Sequence, residues 1–351
     1  MTPTPLLTDL TARVKAKAHS RTAPCPCATP GSPAPRTTLA DRPDATVVRH
    51  ADTVAKAHAP GTPLTDLTLR LATATRLPGI LLPPLTPTPV DLHGRQVTFW
   101  PYGTPVDPDA PDAAPWEAAG TLLAHLHRTP TSTLPSLFTP TLSPVITTPP
   151  PITTPPPTAS PSPALPPMRG PAKAAQAIAR LTASATAADH PAAQPVLHAW
   201  RTLPAWARAE APMPDTSTLC HGDLHLGQLV RHPAPDGPWL LIDVDDLGTG
   251  VPAWDLARPA AWYACGLLHP DEWTRFLTAY RVAAGPAVPA DGDPWPALDV
   301  PARALTVQTA ARAITKATAE NRDLDEIEMS MIDACARMSS LPPELAPDFP
   351  K

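Results

Sequence analysis

Between Leu219 and Val230 the chain reads LCHGDLHLGQLV, which sets His221, Asp223, His225 and Gln228 between two apolar runs. A second stretch, WLLIDVDDLGTG from Trp239 to Gly250, then places Asp243, Asp245 and Asp246 after a third apolar run. The H-x-D-x-H spacing admits a metal triad, and with it a metallohydrolase, provided that three ligands converge on one open site. It also admits a packed His221 that is no ligand at all. Gln228 brings a carbonyl oxygen able to serve a hard cation. Asp245 and Asp246 are either assistants at the same site or ordinary acidic turn residues.

The elements that position these residues are legible on both sides. ATVVRHADTVAKAH, Ala45 to His58, alternates β-branched and polar residues around a short HAD turn and predicts a hairpin with Lys56 on its second strand. Leu64, Leu67, Leu71 and Thr75 recur at helical spacing, and Arg95 to Trp100 reads as a strand ended by Pro101 and Gly103. From Trp116 the pattern is helical: Trp116, Gly120, Leu123, Leu126 and His127 fall on one face. PAKAAQAIARLTA repeats Ala175, Ile178 and Leu181; HAWRTLPAWARAEA is helical with a break at Pro204. The distal third is helical throughout, with Leu324, Ile327, Met331, Cys335 and Met338 as its last apolar stripe. The expected organisation is a small β-rich lobe over 1–100, a hinge over 101–106 and a helical lobe over 107–345. Residues 130–167, with the tandem ITTPPP, are expected to form a proline-rich insertion within the helical lobe, extended and solvated because proline fixes φ and lacks an N–H. It reads as a spacer, with a ligand for a partner module as the alternative.

Composition narrows the function classes. The 351 residues are 43% hydrophobic, enough for a core, and carry a net charge of −5. Without a basic face, nucleic acid is not an expected partner. No apolar run reaches the length of a bilayer span, and MTPTPLLTDLTARVKAKAHS lacks the pattern of a leader, so no membrane partner and a cytoplasmic location are expected. Five cysteines, an odd number, fit reduced thiols. Cys25 and Cys27 have no second pair at zinc-like spacing, and Cys335 falls on a helix face as a buried thiol.

VRHADTVAKAH, HGDLHLGQLV and LLIDVDDLGTGVPAWDLARPAAW occur in that order. Together they resemble the aminoglycoside phosphotransferase family, the small-molecule branch of the protein-kinase-like fold, from about Ala45 to Met338. The resemblance implies an α+β, bilobal fold and an enzyme that uses ATP and Mg2+ to phosphorylate a hydroxyl of a small molecule. Phosphoryl transfer asks for a carboxylate near the acceptor, metal ligands and a cation on the phosphates. By resemblance, Asp223 is the catalytic carboxylate, while Gln228, where most relatives carry Asn, and Asp243 are the metal ligands. Bacterial maltokinases also look like HGDLHLGQ, so Gln228 is compatible with activity. Lys56 matches the strand lysine that grips the nucleotide's phosphates, although no Glu follows on the next helix and Asp66 is the nearest carboxylate. Phe99, Trp100, Pro101 and Tyr102 match the segment that meets the purine. His221 and Asp255 match residues that support the catalytic loop. GSPAPRTTLADRPDAT contains no G-x-G-x-x-G, so any phosphate lid is a non-glycine loop. Aminoglycoside-like antibiotics are the first acceptor class implied; a maltokinase-like sugar or metabolite kinase and a pseudokinase scaffold are the alternatives. Asp271, Glu272, Asp323, Asp325, Glu326 and Glu328 are either partners for an amino sugar's ammonium groups or a solvated helix face.

Overall fold

The structure, a computed structural model, describes residues 4–20, 36–134 and 164–339. Among them, two compact units separate: 4–20 and 36–102, joined by the short stretches 132–134 and 164–166, form one, and 103–131 with 167–339 the other. Most of the proline-rich segment, the Cys25–Cys27 pair and residues 31–35 of the expected lid lie outside the described residues.

The first unit is an antiparallel sheet covered by a helix. Helix α1 (Pro5–His19) starts where the Thr4 hydroxyl accepts from the Leu7 N–H and proline occupies the first turn. Strands β1 (Arg36–Arg42), β2 (Ala45–His50) and β3 (Thr53–Ala57) follow, then helix α2 (Leu64–Arg76), β4 (Val90–Leu92) and β5 (Arg95–Pro101), in sheet order β1-β2-β3-β5-β4. The β2–β3 hairpin turns at Ala51, whose φ is 53°. Period-two alternation sends Ala55 and Ala57 into the α1-facing core with Leu10, Val14, Val48, Val97 and Phe99, so Lys56 projects from the opposite face. Lys56 pairs with Thr98 across β3 and β5, and the Trp100 indole donates to the Thr98 hydroxyl at 2.8 Å. Phe99 is therefore a core residue on the other side of the sheet from Lys56. The described part of the expected lid region, residues 36–46, contains β1 and a turn at Pro43 and Asp44 and has no glycine.

The second unit is mainly helical. Strand β6 (Thr104–Pro105) leads into α3 (Trp116–His127), whose predicted face is buried. Gly120 lies where α3 meets a later helix, α8: a Cβ there would stand 2.3 Å from the Phe276 carbonyl oxygen. Helices α4 (Gly170–Ala183), α5 (Ala185–Ala188) and α6 (Ala193–Thr202) follow, α6 ending just before Pro204. Four short strands, β7 (Thr218–Cys220), β8 (Leu229–Arg231), β9 (Trp239–Leu241) and β10 (Gly248–Gly250), precede α7 (Ala253–Ala264), α8 (Pro270–Val282), α9 (Trp295–Glu320) and α10 (Glu326–Ser339). One apolar core joins α4, α6, α9 and α10 through Ile178, Leu181, Val196, Val307, Ile314 and Met331. Cys335 is buried there, with its thiol pushed up to about 12 by burial. The α10 stripe departs from the sequence expectation in one place: Ile327 is 62% exposed, and Ile332 is buried beside Met331 instead. Among the described residues, no helix is long and apolar enough to cross a membrane.

Candidate active site

Two antiparallel ladders hold two loops side by side. β7 pairs with β10, and β8 pairs with β9 and β6, so residues 221–228 and 242–247 leave neighbouring strand ends. The loops are then tied directly: the His221 Nε2–H donates to the Ile242 carbonyl at 2.8 Å. Gly222 passes so close to Asp246 that a Cβ would sit 2.4 Å from its carbonyl oxygen, and its φ of +86° is one that glycine adopts without strain.

Asp255, at the start of α7, anchors the first loop from beneath. One carboxylate oxygen accepts from the His221 N–H at 2.6 Å and the other from the Gly222 N–H at 2.7 Å. His127 on α3 meets the same carboxylate at 3.0 Å; because a carboxylate accepts, its Nε2 carries the proton, leaving Nδ1 to meet the Tyr280 hydroxyl at 2.8 Å. The whole chain is buried and hydrogen-bonded, as a buried charge requires.

Asp223 sits above this support with both oxygens engaged. Lys173 Nζ on α4 donates to Oδ2 at 2.6 Å, and Arg258 on α7 donates to Oδ1 at 2.6 Å while its Nε reaches the Leu224 carbonyl at 3.2 Å. Burial alone would raise the Asp223 pKa; the Lys173 and Arg258 charges outweigh it and hold the carboxyl far below the usual range. Lys173 also donates to Asp246 Oδ2 at 2.6 Å. Burial nevertheless pushes Asp246 upward, with Lys173 only partly offsetting it. His225 is pushed down to about 4 by burial and the Arg258 charge, so it is uncharged at neutral pH.

Gln228 is buried and its amide nitrogen lies 3.5 Å from Asp243 Oδ2. Asp243 has a left-handed backbone, φ 65°, and its side chain accepts from the Asp245 N–H. Two adjacent oxygen-bearing side chains at a strand end form a donor set suited to a hard cation such as magnesium. The H-x-D-x-H triad does not converge in the same way. His221 Nε2 is committed to Ile242, Asp223 to Lys173 and Arg258, and His225 Nδ1 to the Gly227 N–H at 3.1 Å.

The structure thus brings Asp223, Gln228, Asp243 and His221 into one pair of loops with Asp255 of α7 beneath them, engages Asp246 of the two candidate turn carboxylates, and adds Lys173 and Arg258. Arg258 stands in WDLAR, three residues after Asp255, and only its position on α7 reveals its role; nothing in the sequence around Lys173 marks it. Lys56, Phe99, Trp100, Pro101 and Tyr102 belong to the sheet unit, where the Arg49 guanidinium lies 3.2 Å from the centre of the Tyr102 ring and the Tyr102 N–H donates to the Asp52 carbonyl.

This architecture is the α+β, protein-kinase-like fold. It is similar to the GDP complex of wild-type aminoglycoside 2'-phosphotransferase-IIIa, at 14% identity over 95% of this chain and 99% of that one, TM-score 0.51. It is also similar to choline kinase LicA from Streptococcus pneumoniae, 14% identical over 87% and 93% of the two chains with TM-score 0.50. Choline kinase from Cryptosporidium parvum Iowa II gives 9% identity over 95% and 94%, TM-score 0.50. No curated protein sequence matches significantly. Residues 40–297 match the model of the phosphotransferase enzyme family, and the chain belongs to that family. It is a phosphotransferase of the kind that acts on hydroxyl groups.

Proposed function

We propose that the chain transfers the γ-phosphoryl group of ATP to a hydroxyl of a small molecule in a magnesium-dependent reaction. The observation that carries this reading is Asp223, an ionised carboxylate fixed by Lys173 and Arg258 on a loop whose backbone Asp255 holds. The acceptor oxygen forms the new bond to phosphorus as the bond between phosphorus and the β–γ bridging oxygen breaks, and that electron pair leaves with ADP. Asp223 accepts a hydrogen bond from the acceptor hydroxyl, aims its oxygen, and takes its proton as the new bond forms. With so low a pKa, Asp223 acts mainly by orientation and receives the proton late.

Gln228 and Asp243 would hold magnesium, which when bound neutralises phosphate charge. Lys56 supplies a cation for the nucleotide's phosphates. Trp100, Pro101 and Tyr102 are the residues assigned to the purine, with Phe99 supporting them from the core. Two acceptor classes follow: amino sugars of the aminoglycoside type, and uncharged sugars or other metabolite alcohols, favoured by the surface beside the catalytic loop described below.

The test is Asp223→Asn in the full chain. Phosphate incorporation from labelled ATP into every active acceptor should fall by about 10²–10⁴-fold. The magnesium-dependent thermal shift by ATP should persist. Unchanged turnover in this variant would remove Asp223 from the mechanism.

A further inference from the structure

We infer that the acceptor is an uncharged alcohol with an apolar face, bound between Trp116 and Trp262 beside the catalytic loop; this rests on the phosphotransferase reading of Asp223. A cavity of about 320 Å3 lies there within the helical unit, walled by Trp116, Leu224, Leu226, Pro259 and Trp262. That volume suits a small molecule of one or two rings. Leu224 and Arg258 line this cavity and also the small cleft that holds Asp223 and Lys173, so an occupant lies one side chain from the catalytic carboxylate.

The charges of the wall decide the class. Arg258 and His225 are its titratable groups; the first is cationic and the second uncharged at neutral pH. Among the described residues, no carboxylate lines the cavity. Glu272 is nearby but accepts from the Trp116 indole N–H at 2.8 Å and from the His269 N–H at the start of α8. Asp223 lines the adjoining cleft and not the cavity itself, and it is already paired with Arg258. An ammonium group entering here would lose its water beside a guanidinium, with no anion to compensate. The tryptophan faces attract cations, but Arg258 in the same wall opposes this. A neutral ring or sugar face, by contrast, gains apolar burial against both indoles at no charge cost.

Two of the candidate carboxylates on the C-terminal helices, Asp325 and Glu328, are engaged within the helix start itself. Glu328 receives two bonds of 2.7 Å from Arg322, and Asp325 caps α10 by accepting from the Glu328 N–H at 2.8 Å.

The test is calorimetric titration of the full chain, with magnesium and a non-hydrolysable ATP analogue, using phenyl β-D-glucoside, kanamycin and choline as probes. Phenyl β-D-glucoside is expected to bind. Trp262→Ala, and Ala119→Leu, which would fill the cavity from its α3 wall, are each expected to weaken it about tenfold or more, the equivalent of one lost buried contact, without changing affinity for the ATP analogue. Absence of binding, equal affinity in both variants, or kanamycin or choline binding that these variants abolish would each overturn the inference. The catalytic reading is tested separately: phosphate transfer to phenyl β-D-glucoside that survives Asp223→Asn would refute that reading and leave the binding result intact.

Discussion

Lys173 Nζ stands 2.6 Å from an oxygen of Asp223 and 2.6 Å from an oxygen of Asp246, so a single ammonium joins the two loops. Its burial would by itself favour the neutral amine, yet the two carboxylates reverse this and raise its pKa. Replacing it with Met removes the shared cation while keeping the apolar stem. Lys173→Met should cost about 3 kcal/mol of unfolding free energy measured by denaturant titration, the expected scale for leaving partly buried charges uncompensated. The Asp223 pKa should also rise, so the acid limb of kcat/KM should move to higher pH. A loss of stability with an unmoved acid limb would show that Lys173 only holds the fold.

Asp255→Asn tests the support of the loop. The variant keeps the shape but sets an amide against two backbone donors and His127. A loss of about 3 kcal/mol is expected by urea unfolding, since charged acceptors of buried donors are among the stronger bonds. Because Asp255 acts through the backbone of His221 and Gly222, kcat should fall more than the KM for ATP changes.

The loop crossing predicts that Gly222 tolerates no side chain. Gly222→Ala combines a backbone of φ +86° with a Cβ 2.4 Å from a carbonyl oxygen. The cost should be about 2 kcal/mol or more in thermal or chemical unfolding. Gly61, at φ +74° with open space around its Cβ position, serves as the comparison and should cost less.

His225 gives the fold a pH dependence of known sign. The folded chain keeps it uncharged down to about 4, where its ordinary value is 6.5. Between those values the unfolded chain binds the extra proton, so stability falls as pH drops from about 6.5 towards 4. Protonation would also disrupt the bond that Nδ1 accepts from the Gly227 N–H. His225→Gln should flatten this part of the stability profile, measured by urea midpoint against pH.

Much of this was legible before any coordinates. The alternation of ATVVRHADTVAKAH marks β2, β3 and the place of Lys56 on the second of them, because a half-buried strand leaves a period-two trace. The helical spacing from Trp116 likewise gave α3 and its buried face. Helix α1 also leaves a trace, Leu10, Val14 and Ala18 four apart. Ile327 fits the α10 stripe by count, but it lies in the first turn, where fewer neighbours cover the helix. The HGD and ID motifs placed Asp223 and Asp243, whereas the Lys173–Asp223 pair spans 50 residues and leaves no periodic mark. Phe99 and Trp100 show the finer limit: being adjacent in one strand assigns them to opposite faces, so they cannot share one role.

Trp116 and Trp262 reach the catalytic loop from α3 and α7, whereas Asp223, Gln228 and Asp243 lie on the paired loops themselves. On the proposed reading, recognition and chemistry are supplied from separate stretches of polymer. Mutation can retune which alcohol is admitted by resizing an indole, and descendants of this gene can diverge in diet while inheriting the same reaction unaltered.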